Sequence, residues 1–232
     1  MTIRRPALVV CAAADLPDDV LGHLTAQERQ QYDAFAFPKR RDEWLLGRWA
    51  AKRAAVKAWG EGASPGAFEV QVSEHGAPCL HHPAGEALPA RLSISHSHGL
   101  ATAVVAAEWV GIDLEVQRPM PSGAWRFFLT EAERDWLAGA PWGPHSELVA
   151  WALKEAAYKA LQGSSRSLVP LKLTPHARPG WAALAHAGQS LLGRWQWVDQ
   201  VCLALVVAGE APAWFADLPL SFDQKPLLRR KI

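Results

Sequence analysis

The strongest constraint on this chain is an order of hydrophobic patterns that occurs twice. A long helical pattern runs over Arg41–Trp59, "RDEWLLGRWAAKRAAVKAW", and stops at Gly60. Strand patterns follow near Ala67–Val72, Leu92–Ser95 and Leu100–Ala107. A second helical pattern covers Glu147–Gln162 and stops at Gly163, followed by strand patterns near Leu168–Leu173, Arg194–Val198 and Val201–Ala208. Matching elements lie roughly 100 residues apart, a spacing read from hydrophobic pattern alone. Residue identity between the halves reads as negligible. The pattern predicts an α+β fold of two pseudo-duplicated halves, residues 1–108 and 109–232, each a long helix packed on a small, mainly antiparallel sheet. The active site is expected in the cleft between them. "PHARPGW" and the tail from Pro212 onward read as loop.

With 232 residues, half of them hydrophobic, the chain can bury a sizeable core. Lys and Arg total 24 against 23 Asp and Glu, for a net charge of +1. That balance gives no support for broad nucleic-acid or membrane binding. No apolar run approaches the length of a membrane span. "MTIRRPALVVCAAAD" has the charges and the Ala-x-Ala ending of a signal peptide, but its apolar run is short and carries Pro6. "ALVV" therefore reads as a first strand. Cys11, Cys79 and Cys202 lie far apart with no C-x-x-C, which suits a reducing cytoplasm better than a disulfide framework. The twelve tryptophans are expected mostly in the core.

"VGIDLEVQRP", from Val110 to Pro119, alternates apolar and polar as a strand does. Period two puts Ile112, Leu114 and Val116 on one face and Asp113 and Glu115 together on the other. Two carboxylates this close repel unless a cation sits over them. On the second helix Val149, Leu153, Ala156 and Ala160 form an aliphatic stripe. Glu155 lies on the opposite side with Leu148, Trp151, Tyr158 and Lys159, a face too apolar to be fully wet. Glu155 and Lys159 could be only an i,i+4 surface pair. Beside the paired-acid strand, three converging carboxylates make an oxygen-ligand site for Mg²⁺, with Mn²⁺ as an alternative.

"SISHSHG" places Ser95, His96, Ser97, His98 and Gly99 at a tight turn between two strands, either a polar hairpin turn or a phosphate or nucleotide contact. In "FPKRRDEWLLGRWAAKR", Arg41, Arg48 and Lys52 fall near one helical stripe, either a solvated basic face or an anion clamp. His75, Cys79, His81 and His82 show no standard zinc spacing and read as a polar loop.

In order, Ser95-His96-Ser97, Gly111-Ile112-Asp113-Leu114-Glu115 and Trp151-Ala152-Leu153-Lys154-Glu155-Ala156-Ala157-Tyr158-Lys159 resemble the surfactin-type 4′-phosphopantetheinyl transferases. Their motifs are G-[IV]-D-[IVL]-E and W-x-x-K-E-[AS]-x-x-K. The resemblance spans about Phe35 to Gln162. It implies transfer of the phosphopantetheine arm of coenzyme A to a serine of an apo acyl or peptidyl carrier protein, releasing 3′,5′-ADP. It implies Asp113, Glu115 and Glu155 as Mg²⁺ ligands. Lys154 and Lys159 would lie near the pyrophosphate and the reacting serine, Ser95 and His96 on coenzyme A, and Arg41 and Arg48 near the nucleotide phosphates. Glu155 is the first choice for the serine's proton acceptor, and Glu133 in "RFFLTEAERDWL", with Glu131 close by as the alternative match, the second. Arg118, Arg126 and Arg134 would dock an acidic carrier. The first half would then hold the nucleotide of coenzyme A and the second the acids and lysines. A cytoplasmic monomer is expected. One departure is Gly76-Ala77-Pro78, where the family often has a basic residue between Gly and Pro.

Two other readings use the same acids. A metal-dependent phosphodiesterase or nuclease would usually need an acid followed two residues later by Lys, and Val116-Gln117 after Glu115 does not provide it. A non-catalytic carrier-protein binder would not need all three acids and both lysines, which are intact.

Overall fold

The computed structural model describes residues 3–60, 62–139, 142–163 and 167–222. Trp109–Leu220 forms one compact unit, and the described residues before it, with Ser221 and Phe222, form another.

The first unit runs β1 (Ala7–Ala12), α1 (Ala26–Asp33), α2 (Pro38–Trp59), β2 (Glu69–Val72), β3 (Pro78–His81), β4 (Arg91–Ser97) and β5 (Leu100–Ala106). Strands β1, β5 and β4 form an antiparallel sheet in the order β1-β5-β4, and β2 and β3 form a separate hairpin. α2 begins with Pro38 at its first turn, where a missing N–H costs nothing, and lays Ala50, Ala51, Ala54, Ala55 and Ala58 into the core. These small side chains let the helix lie close on β1 and β5.

The second unit runs β6 (Val110–Val116), α3 (Glu131–Ala138), α4 (Ser146–Ala160), β7 (Lys172–Pro175), β8 (Trp181–His186), β9 (Gln189–Val198), β10 (Val201–Ala208) and α5 (Trp214–Asp217). Its sheet has the order β6-β10-β9-β8-β7, antiparallel throughout. α4 packs on β6 and β10, and its expected stripe of Val149, Leu153, Ala156 and Ala160 is buried.

The two units repeat one scheme. α2 lies on β1-β5-β4 as α4 lies on β6-β10-β9. This corrects the reading of negligible identity: Trp49–Lys57 and Trp151–Lys159 share W-A-x-K-x-A-A-x-K, identical at six of nine positions. The last lysine of each copy caps an equivalent strand carbonyl. Lys57 Nζ donates to Leu8 O on β1 at 3.3 Å, and Lys159 Nζ to Ile112 O on β6 at 3.2 Å.

Several boundaries differ from the sequence reading. The strand expected at Leu168–Leu173 forms at Lys172–Pro175, after a turn in which Leu171 N–H bonds Leu168 O. β3, β8, α1, α3 and α5 are additional; "WAALAH" of β8 is alanine-rich and reads as helix by propensity. Part of the tail expected as loop is α5, and the rest beyond residue 222 lies outside the described residues. Only Trp59 and Trp142 of the twelve tryptophans are buried; most of the others keep one edge at the surface, with a ring body against the core. No helix among the described residues is long and apolar enough to cross a membrane.

Candidate active site

β6 carries Asp113 and Glu115 on the face that meets α4. The approach is set by Gly111: a Cβ there would stand 1.9 Å from Ala156 O and 2.6 Å from Ala160 N. Only a residue without a side chain lets the strand come that near to the helix backbone. Two residues further on, Asp113 is brought to Lys159, with Nζ 2.6 Å from Oδ1. Opposite the acids in the ladder are Ala204 and Cys202, both small.

The repulsion between the paired acids is met inside the chain. Lys159 sits on Asp113, Arg118 Nη2 lies 3.3 Å from Glu115 Oε2, and the Trp151 indole N–H donates to Glu115 Oε1 at 2.8 Å. Glu155, half-buried on α4, belongs to the same electrostatic group. Burial pushes its carboxyl above the usual range, the Lys159 ammonium pulls it back, and the Asp113 and Glu115 charges push it further up. Burial, followed by the same two charges, holds the Cys202 thiol far above its usual range, so it is an inert core thiol.

The donor set suits a hard divalent cation, because every contributing atom is a carboxylate oxygen. Among the described residues no group of three or more His, Cys, Asp or Glu side chains is already assembled to hold a metal ion. Protein cations and an indole N–H engage Asp113 and Glu115 instead. A cation entering here would exchange for Lys159 on Asp113. His75, Cys79, His81 and His82 form no metal group either; Cys79 Sγ lies 3.4 Å from His81 Nε2 on the β3 strand.

Two expected site residues are placed away from solvent. Lys154 has no exposed surface, and its Nζ donates to Glu133 Oε2 at 2.8 Å and to Phe128 O at 2.7 Å. Glu133 is the third residue of α3 and closes a capping box with Thr130, accepting the Thr130 N–H at 2.8 Å. Its other oxygen accepts the Leu173 N–H at 2.7 Å. Burial lowers the Lys154 ammonium below its usual range, and Glu133 opposes that shift. The resemblance implies Lys154 near coenzyme A; in this structure its ammonium is enclosed, with Glu133 and the Phe128 carbonyl as partners. Glu133 is likewise committed as a cap and a counterion.

In the first unit, α2 and the β4–β5 turn border an open cavity of about 660 Å³, lined by Lys39, Asp42, Glu43, His96, Ser97 and His98 among others. The expected turn is narrower than the Ser95–Gly99 stretch. Ser95 and His96 remain in β4, and only His98 and Gly99 turn, both with positive φ as a two-residue hairpin requires. His96 faces this cavity, while Ser95 is buried in the strand. Arg41 and Arg48 do not line it. Arg48 is buried with its guanidinium 4.6 Å from the Trp44 ring, beside Glu28 and Cys79, and burial lowers it from its usual range. Arg41 lies over the Tyr32 ring at 5.3 Å. Lys39, in the same basic stretch but off the stripe of Arg41, Arg48 and Lys52, lines the cavity instead, just inside the Pro38 helix start. Ala77 closes the β2–β3 turn, where Ser73 N–H bonds its carbonyl at 2.8 Å, and offers no charge.

Near the acids, Arg118 also lines a cavity of about 450 Å³ with Gln117, His145 and Glu147. Trp125 is covered by two guanidinium groups, Arg126 at 4.8 Å and Arg134 at 4.6 Å, next to Phe127, which is 77% exposed.

The model of the 4′-phosphopantetheinyl transferase superfamily matches this chain twice, over residues 11–107 and 109–206. The chain is similar to a holo-acyl-carrier-protein synthase of Lactococcus lactis, 40% identical over 90 residues, covering 37% of this chain and 74% of that protein. A synthase of the same description from Streptococcus sanguinis is 38% identical over 90 residues, covering 37% and 72%. Among solved structures, a Bacillus anthracis holo-acyl-carrier-protein synthase in complex with CoA (3′,5′-ADP) is 28% identical, covers 45% of this chain and 96% of that one, and gives a TM-score of 0.37.

Proposed function

Because this chain belongs to the 4′-phosphopantetheinyl transferase superfamily, we propose that it moves the phosphopantetheine arm of coenzyme A to a serine hydroxyl of an apo carrier protein and releases 3′,5′-ADP. The observation that carries this reading is the acid group of the second unit: Asp113, Glu115 and Glu155 in one electrostatic field, with Lys159 2.6 Å from Asp113. The surfactin-type subfamily is the finer assignment, supported by two successive matches to one family model within a single chain. The reaction is assigned to the cytoplasm, and the enzyme to a monomer.

Asp113, Glu115 and Glu155 would hold Mg²⁺, or Mn²⁺ in its place. The metal, when bound, supplies charge neutralisation on the pyrophosphate oxygens. Lys159, released from Asp113, would follow the charge that builds on the phosphoryl oxygens in the transition state. Glu155 would take the serine proton. The serine would approach through the cavity beside Arg118. The nucleotide is assigned to the first unit's cavity, with Lys39, His96 and His98 toward its phosphates. Arg41 and Arg48 are assigned a supporting role through α2. Arg126 and Arg134, with the exposed Phe127, are assigned to an acidic and apolar carrier surface.

The test is incubation with coenzyme A, Mg²⁺ and an apo carrier, read by intact mass. Wild type converts the carrier serine to its phosphopantetheine ester, and Asp113→Ala leaves the carrier unmodified while keeping its circular dichroism. Full turnover by Asp113→Ala would refute the assignment of the acids.

A further inference from the structure

The Glu133–Lys154 contact has a twin in the first unit. Thr25 and Glu28 form the same capping box at the start of α1 that Thr130 and Glu133 form at the start of α3. Glu28 Oε2 meets Lys52 Nζ at 2.7 Å, as Glu133 Oε2 meets Lys154 Nζ at 2.8 Å. Glu28 Oε1 accepts the Val70 N–H of β2 at 2.9 Å; Glu133 Oε1 accepts the Leu173 N–H of β7 at 2.7 Å. Lys52 also donates to Phe68 O, and Lys154 to Phe128 O. All four side chains are buried.

A direct role in chemistry does not explain the repeat, because the first copy occurs where the helix carries Arg53 in the position of Glu155. What both copies share is mechanical. One carboxylate ties together the start of a short helix, the middle of a long helix and the first residues of a hairpin. A buried charge is tolerated when it is paired and hydrogen-bonded, and in both units the lysine meets a carboxylate and a backbone carbonyl.

We infer that Glu133 and Lys154 are a positioning pair that fixes the rotation of α4, and so aims Glu155 and Lys159 at the β6 acids, without touching substrate themselves. Adjacent helix positions point about 100° apart. Anchoring Lys154 inward therefore turns Glu155 toward the half-buried side, and Lys159, one turn on, toward Asp113. Lys154 thus acts through its neighbours. The inference rests on the transferase reading for its kinetic readout, while its stability readout is independent of any activity.

The experiment is a double-mutant cycle on the full chain with Glu133→Gln, Lys154→Met and the double variant, read by thermal melting and by carrier modification. Each single variant should lower the melting temperature and reduce kcat roughly 10- to 100-fold, with KM for coenzyme A changed less than about twofold. The double variant should lose no more than the worse single, because both substitutions break one contact. If Glu133 is instead the proton acceptor and Lys154 an independent phosphate ligand, the losses in log kcat add and KM moves with Lys154→Met; that result overturns the inference. Glu28→Gln should lower the melting temperature while leaving kcat at saturating coenzyme A within about twofold of wild type. If the charge-deleting variants do not fold, Thr130→Ala removes the hydroxyl that holds Glu133 and leaves both charges. It should reduce kcat with KM unmoved, and an unchanged kcat beside a lowered melting temperature would refute the positioning role. Absence of carrier modification by wild type would sink the transferase reading alone, and non-additive melting temperatures would still support the pair.

Discussion

Replacing Gly111 with alanine tests how the acid group is assembled. The added Cβ would stand 1.9 Å from Ala156 O, 2.6 Å from Ala160 N and 2.9 Å from Ala156 C. All three are backbone atoms of α4 and cannot rotate away. Helix and strand must separate by about 1.5 Å before the nearest contact is ordinary. Overpacking of a core typically costs about 1–3 kcal/mol, and a backbone obstacle belongs at the upper end. A loss of ~3 kcal/mol corresponds to a fall in melting temperature of roughly 10 °C for a unit of this size. The same displacement moves Asp113 and Glu115 on β6 away from Glu155 and Lys159 on α4 and should slow carrier modification on the order of 100-fold. Gly193→Ala is the control: its Cβ would meet Leu153 Cδ2 at 2.9 Å and Leu184 Cδ1 at 3.1 Å, both ends of side chains that can turn. Scanning calorimetry and the intact-mass assay read both variants. If Gly111→Ala melts within about 2 °C of wild type and keeps its rate, close approach of β6 to α4 is not what builds the site.

Lys39→Ala should raise KM for coenzyme A by roughly tenfold and leave use of dephospho-coenzyme A nearly unchanged, whereas Arg48→Ala should affect both alike through loss of α2 packing; the reverse ranking in steady-state kinetics would return the phosphate to Arg48. Glu155 has a folded-state carboxyl raised mainly by burial, so the folded chain binds its proton more tightly than the unfolded chain does. In metal-free buffer its contribution therefore falls as pH rises from the ordinary carboxylate range through the raised value, and Glu155→Gln should melt higher than wild type near pH 8 and equal to it near pH 4. A lower melting temperature for Glu155→Gln at the higher pH would contradict the sign. Association with an acidic carrier should weaken with salt, and Arg126→Ala together with Arg134→Ala should flatten that dependence in stopped-flow traces; an unchanged salt slope would place the dock elsewhere.

The paired acids were legible in sequence because a strand's period of two puts Asp113 and Glu115 side by side whatever covers them. What covers them was not. Lys159 is 46 residues from Asp113, and the Trp151 indole 36 residues from Glu115, so those contacts exist only once α4 lies on β6. The second helix was readable as an aliphatic stripe with Glu155 off it. The fate of Lys154, one residue earlier, depended on Glu133, and that partner becomes visible only through tertiary packing. The capping boxes at Thr25–Glu28 and Thr130–Glu133 were available as T-x-x-E. So was the repeated W-A-x-K-x-A-A-x-K, hidden because the halves were aligned by hydrophobicity instead of by residue. Helical spacing puts Arg48 on a stripe but does not show what lies above it, here Trp44.

The lysine that caps β1 and the lysine that caps β6 bring the two strands into register. Leu8 then answers to Ile112, which sets Val9 where the second unit has Asp113 and Cys11 where it has Glu115. On the helices Arg53 stands at the place of Glu155. The molecule thus contains its own blank: one unit folded on the same frame with an aliphatic, a thiol and a cation in place of three carboxylates. Val9 and Cys11 are both buried in the core there. The frame does not require acids in order to fold, so neutralising Asp113, Glu115 or Glu155 leaves the architecture a precedent to follow. Activity lost in such variants is then expected to reflect a loss of charge placement, with circular dichroism unchanged.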